Sequence, residues 1–262
     1  MAVFPTTPRV GDLLREWRHR RKISQFDLSL ESAVSSRHLS FIETGRSRPS
    51  REMVLHLADR LEVPLREQNT LLLAAGYAPV YGERSLADAE MAQAREALDR
   101  FLAAHEPYPA LAVDRQMTIV ASNAALGLLL EGVAPWLLEP PANALRITLH
   151  PEGMAPSIVN LPEWSAHLLH RLARRAAITG DARLEQLHAE LAGFPGVHTE
   201  APAHDPGAEI VLPLRVRRGD DELRLICTQT TFGTAVDVTL SELSIEGFYP
   251  ADARSAEVIR AW

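Results

Sequence analysis

Between Ser24 and Arg48 the chain sets out short polar side chains and guanidinium groups at intervals suited to a polyanion: Gln25, Ser35, Ser36, Arg37, His38, Ser40, Phe41, Arg46 and Arg48. Serine and arginine near the start of a helix can reach base edges in a DNA major groove, and neighbouring donors can hold phosphates. Ser35, Ser36 and Arg37 are the expected readers, with Ser40 on the same helix; Gln25, Arg46 and Arg48 are the expected phosphate or positioning contacts. His38 divides between a phosphate or base contact and packing beside Leu39, and Phe41 between a thymine methyl and partly buried packing. Catalytic chemistry is poorly supplied by comparison. Lys22 is the only lysine, so neither a Ser-Lys dyad nor a Schiff-base lysine is available after it. No G-x-S-x-G, G-x-G-x-x-G or H-E-x-x-H motif occurs. His167 and His170 have helical spacing but no evident third metal ligand, and the single cysteine, Cys227, can form no internal disulfide. These residues predict a protein that is not an enzyme, has no metal site and occupies a reducing, cytoplasmic compartment.

The elements that must position the candidate contacts are short helices. Leu13, Leu14 and Trp17 start one amphipathic face; Ser24, with Asp27 three residues on, opens a second helix; Ser35 opens a third that buries Leu39 and Ile42; and Gly45 stops it. Further helices follow Pro49-Ser50 and Pro64. Two helices of about eight residues joined at Ser32-Ala33-Val34, set among three more, make a helix-turn-helix.

Charge divides the chain in the same way. Overall it has 262 residues and a net charge of −7, yet residues 1–84 carry 13 Lys/Arg against 10 Asp/Glu, while the remainder carries 14 against 24. Only the first part has the sign that phosphate requires. The N-terminus has no secretion-signal pattern, and the most apolar run, residues 126–138, is too short to span a membrane. A helix with Met91, Ala94, Leu98 and Phe101 is a connector. Two strands are predicted at 109–114 and 117–121, then helices at 123–130, 143–150, 163–178 and 181–191. Period-two runs at 210–217, 223–227 and 236–240 predict three more strands, with Pro213 at an edge or bulge. One antiparallel five-stranded sheet with helices over one face accommodates them.

The run Ser24-Gln25, Leu28, Val34-Ser35, Arg37-His38-Leu39-Ser40, Ile42-Glu43, Gly45-Arg46 and Pro49-Ser50 resembles the XRE (Cro-type) helix-turn-helix transcriptional regulators. Ala33 departs from the glycine usual at the turn, at a cost of roughly 1 kcal/mol in a left-handed conformation. The later half, through Asn143-Ala-Leu-Arg146, Leu149-His150-Pro151-Glu-Gly153, Glu163-Trp164, Phe194-Pro195-Gly196, Thr231-Phe232-Gly233-Thr234 and Asp237-Val238-Thr239-Leu240, resembles the MmyB-like ligand-binding domain. The resemblance implies a five-helix, lambda-repressor-like domain over 1–82, a connector helix over 83–107, and an α+β, PAS-like domain over 108–262. It implies a homodimer on an inverted-repeat DNA operator and a small apolar ligand such as a fatty acid, with no other cofactor and no membrane partner. Arg146 and His150, one helical turn apart, are the expected head-group contacts, with Asn123 beside them. Their structural alternatives are a salt bridge for Arg146, a turn cap for His150 before Pro151, and an N-cap or turn role for Asn123. An antitoxin-like module that uses the helix-turn-helix for autoregulation is the competing reading.

Overall fold

A computed structural model describes residues 8–200 and 211–262, which form two units: 8–84 together with Ala235–Val238, and 85–200 with 211–234 and 239–262. The first unit holds α1 (Val10–Arg20), α2 (Gln25–Glu31), α3 (Ser36–Glu43), α4 (Arg51–Arg60) and α5 (Leu65–Ala74). Serine hydroxyls cap three of them: Ser24 accepts from the Asp27 N–H, Ser35 from His38 and Ser50 from Met53. Leu14, Leu28, Leu39, Ile42, Leu57 and Leu72 are almost completely buried, so each helix contributes one apolar stripe to a common core. Ala33 adopts φ +53° in the turn between α2 and α3, the left-handed conformation expected at this position. Gly45 ends α3 at φ +73°.

The second unit contains α6 (Ala92–Ala104), β1 (Ala110–Val113), β2 (Ile119–Ser122), α7 (Gly127–Leu130), α8 (Pro135–Leu138), α9 (Ala144–Leu149), α10 (Leu161–Thr179), α11 (Ala182–Ala192), β3 (Leu214–Arg218), β4 (Asp221–Thr231), all but the first residue of α12 (Val238–Glu242), β5 (Ser244–Pro250) and α13 (Ala253–Ala261). The α+β architecture and the five-stranded antiparallel sheet are as expected; the strand order is β2-β1-β5-β4-β3. Pro213 falls just before the edge strand β3, where no ladder donor is required. Ile210, expected in that strand, lies outside the described residues.

Three expectations are corrected. Residues 236–240 do not form the last strand: Val238–Glu242 is helical, Val236 is exposed, and the strand is Ser244–Pro250. This strand is central, and Ser244 to Phe248 are all buried, so it lacks the in-out alternation by which a half-buried strand is recognised. The second strand begins at Ile119, because Met117 takes φ +66° in the preceding turn. Helices also cover both sheet faces. Leu111, Val113, Leu225 and Phe248 face the main core with Leu168 and Leu172 of α10, while Ala110, Ala112 and Ile245 pack under Leu98 and Leu102 of α6. At Gly247 a Cβ would lie 2.3 Å from His105 Nε2, so the close approach of that residue to the sheet requires glycine.

Candidate nucleic-acid interface and ligand cavity

Helix α3 is held by a buried polar clamp. Arg18 of α1 donates through Nε and Nη2 to the two Glu43 oxygens at 2.8 and 2.9 Å, and Arg18 Nη1 also reaches the Ile23 carbonyl. Gln25 Nε2 adds a hydrogen bond to Glu43 at 3.0 Å. The helices approach closely: a Cβ on Gly11 would be 2.2 Å from the Ile42 carbonyl oxygen. Gln25, predicted as a phosphate or positioning contact, is thus tied to the C-terminal residue of α3. The Arg18–Glu43 pair was not anticipated, since residues 25 apart on two amphipathic helices carry no local sequence signal.

The exposed side of α3 gathers most of the predicted readers. Ser35 caps it, Ser36 shares a 2.8 Å hydrogen bond with Ser29, and Arg37 is exposed. The guanidiniums of Arg37 and Arg46 lie 5.5 and 5.9 Å from the centroid of the half-buried Phe41 ring. The ring therefore braces two cations that leave their donor edges available. His38 and Ser40 are half-buried on the same helix. Arg48 is occupied differently: Nε and Nη2 donate to the Ala75 carbonyl at 3.0 and 2.7 Å, and its carbon lies 5.3 Å from the Tyr77 ring.

In the second unit, a cavity of about 350 Å³ opens between α10 and the sheet. Leu145, Leu168 and Leu172 supply its apolar wall; Arg171, Arg175 and Glu246 supply charge. Arg171 donates to Glu246 at 3.2 Å and to Gln229 at 3.0 Å. Arg175 has weaker company, the Met117 sulfur and the Glu242 carbonyl, each at 3.4 Å. Burial lowers its pKa, partly opposed by Glu246, Asp114 and Glu242. A second, narrower apolar chamber of about 50 Å³ shares Leu145, Leu168 and Glu246 with the first and is lined further on by Trp164, Leu126 and Phe248.

Arg146, His150 and Asn123 do not line either chamber. Arg146 pairs bidentately with Glu190 at 2.7 and 2.8 Å. Its guanidinium holds the Glu190 carboxyl below the usual range. His150 Nδ1 accepts from the Glu152 N–H, and its ring meets Trp136 and Phe194 edge-on at 5.0 Å. Asn123 bridges the Ala110 N–H and the Tyr108 carbonyl. The cavity arginines sit on the flank of α10, beside an apolar stripe that sequence periodicity identifies; which flank faces a cavity depends on β4 and β5, residues distant in sequence.

Family comparison matches residues 94–261 to the MmyB-like transcription regulator ligand binding domain and residues 9–71 to a helix-turn-helix domain. The chain belongs to the MmyB-like regulator family. Comparison with curated proteins gives no match. An MmyB-like regulator with this pair of domains is a DNA-binding transcription regulator, with DNA as partner of the helix-turn-helix and a small molecule as partner of the ligand-binding domain. Neither family is enzymatic. Among the described residues no helix is long and apolar enough to cross a membrane.

Proposed function

We propose that this regulator is a cytoplasmic homodimer that reads an inverted-repeat operator through α3 and whose ligand-binding domain takes an amphipathic carboxylate such as a fatty acid. In this reading Ser35, Ser36 and Arg37 address base edges and Arg46 addresses phosphate. Gln25 orients α3 through Glu43, and His38, Ser40, Phe41 and Arg48 complete the surface. Half-sites of such a dimer lie about one helical turn apart, roughly 34 Å.

The observation that carries the ligand reading is the cavity of about 350 Å³ in which apolar walls converge on Arg175. A guanidinium has five N–H donors, and these two 3.4 Å contacts leave most of them for an anion. Arg171, already shared with Glu246 and Gln229, is the secondary contact. Arg146, bound to Glu190, is better suited to fixing α9 against α11 than to receiving a head group. Occupancy acts on DNA binding to the extent that the ligand binds the competent and incompetent states with different affinity.

Palmitate binding to the full chain, followed by calorimetry, tests this assignment. Arg175→Leu is expected to weaken palmitate about ten-fold or more and to leave its methyl ester unaffected, as loss of a charge-assisted hydrogen bond requires. Equal palmitate affinity in the wild type and the variant would remove Arg175 from the head-group site.

A further inference from the structure

Trp164 is 3% exposed, its indole lines the narrow chamber, and its Nε1–H has no hydrogen-bond acceptor. Burying an indole N–H without a partner is costly, and such donors in native proteins are ordinarily satisfied. The chamber wall is apolar apart from Thr148, whose hydroxyl donates to the Ala144 carbonyl, and Glu246, which is bound by Arg171.

Trp164, Leu168, Leu172 and Arg175 follow one side of α10, and all four line one or other of the two adjoining chambers. Eleven residues at 1.5 Å each separate the indole from the guanidinium by about 16 Å along the helix axis. The helix thus presents a cation to one chamber and a donor-only group to the adjoining one.

We propose that the ligand is an oxygenated amphiphile, a long-chain carboxylate carrying a keto or similar acceptor oxygen well along its chain, with the carboxylate on Arg175 and the oxygen accepting from Trp164 Nε1. This rests on the carboxylate reading above and adds a second polar subsite to it. A keto oxygen matches the indole because it accepts without bringing a donor that would itself be left unpaired. The chain passes between Leu145 and Leu168, which belong to both chambers.

The test is a set of equilibrium affinities of the full chain for stearate and for keto-stearates with the oxygen at successive chain positions. One positional isomer is expected to bind about ten-fold tighter than stearate, the gain from pairing a buried orphan donor. In Trp164→Phe the ratio of keto-stearate to stearate affinity collapses to near unity, whatever the change in stearate affinity itself. Keto isomers that all bind no better than stearate, or a preference that persists in Trp164→Phe, would overturn the second subsite and leave the carboxylate reading intact. If neither stearate nor any keto isomer binds, both fall. The comparison on the wild-type chain stands without the variant, so a folding defect in Trp164→Phe does not remove the test.

Discussion

Arg37 and Arg46 flank one phenyl ring, but they stand at opposite ends of α3, and that difference assigns them different work. Arg37 is in the first turn, where side chains enter the groove, so Arg37→Ala should cost about 1–3 kcal/mol on a selected operator and little on random duplex. Arg46 lies beyond Gly45, and Arg46→Ala should weaken all duplexes alike and lower the salt slope by about one. Affinities for both duplex types across a salt series check the division; equal losses on both for Arg37→Ala, or a loss confined to the operator for Arg46→Ala, would contradict it. The clamp beneath them is structural. Glu43→Ala strands a buried guanidinium and should destabilise the chain by about 3–5 kcal/mol, whereas Arg18→Met with Glu43→Leu should recover most of the loss in urea melts. The helix-turn-helix and its serine caps were legible because they lie within one short local motif. The clamp and the cavity arginines were not, because each depends on partners more than 20 residues away.

Among elements, α11 shows how one residue can set both a helix start and a contact between segments. Asp181 caps it by accepting from the Arg183 N–H and pairs with Arg115 between β1 and β2. Burial alone would raise the Asp181 pKa; the Arg183 N–H and the Arg115 guanidinium outweigh it and hold the carboxyl below the ordinary aspartate range. A depressed folded pKa contributes stability that is present above the unfolded value and lost as pH falls through the folded one. The stability gap between the wild type and Asp181→Asn should therefore be widest near neutrality and close in acid, as read from urea midpoints over pH. A gap independent of pH would show that the charge is immaterial. Most helices of this domain were legible from period and caps, since Trp164, Leu168, Leu172 and Ala176 make one stripe on α10. Strand β5 was not: its Glu246 faces an internal cavity and its Gly247 lies against His105, so neither follows strand patterning.

For the whole molecule, the net charge of −7 is the sum of a basic DNA-reading segment and an acidic remainder. An acidic remainder on the same chain disfavours loose nonspecific association, so specificity gains relative to absolute affinity. The same division separates the two partners, DNA for the helix-turn-helix and a small molecule for the ligand-binding domain. The most direct test of their connection is operator affinity of the full chain, after selection of the operator from random duplexes, with and without saturating palmitate. A change of at least several-fold in the wild type, abolished in Arg175→Leu, is the predicted result. Operator affinity unchanged by palmitate that is demonstrably bound would contradict the account and leave the ligand-binding domain with no part in DNA recognition.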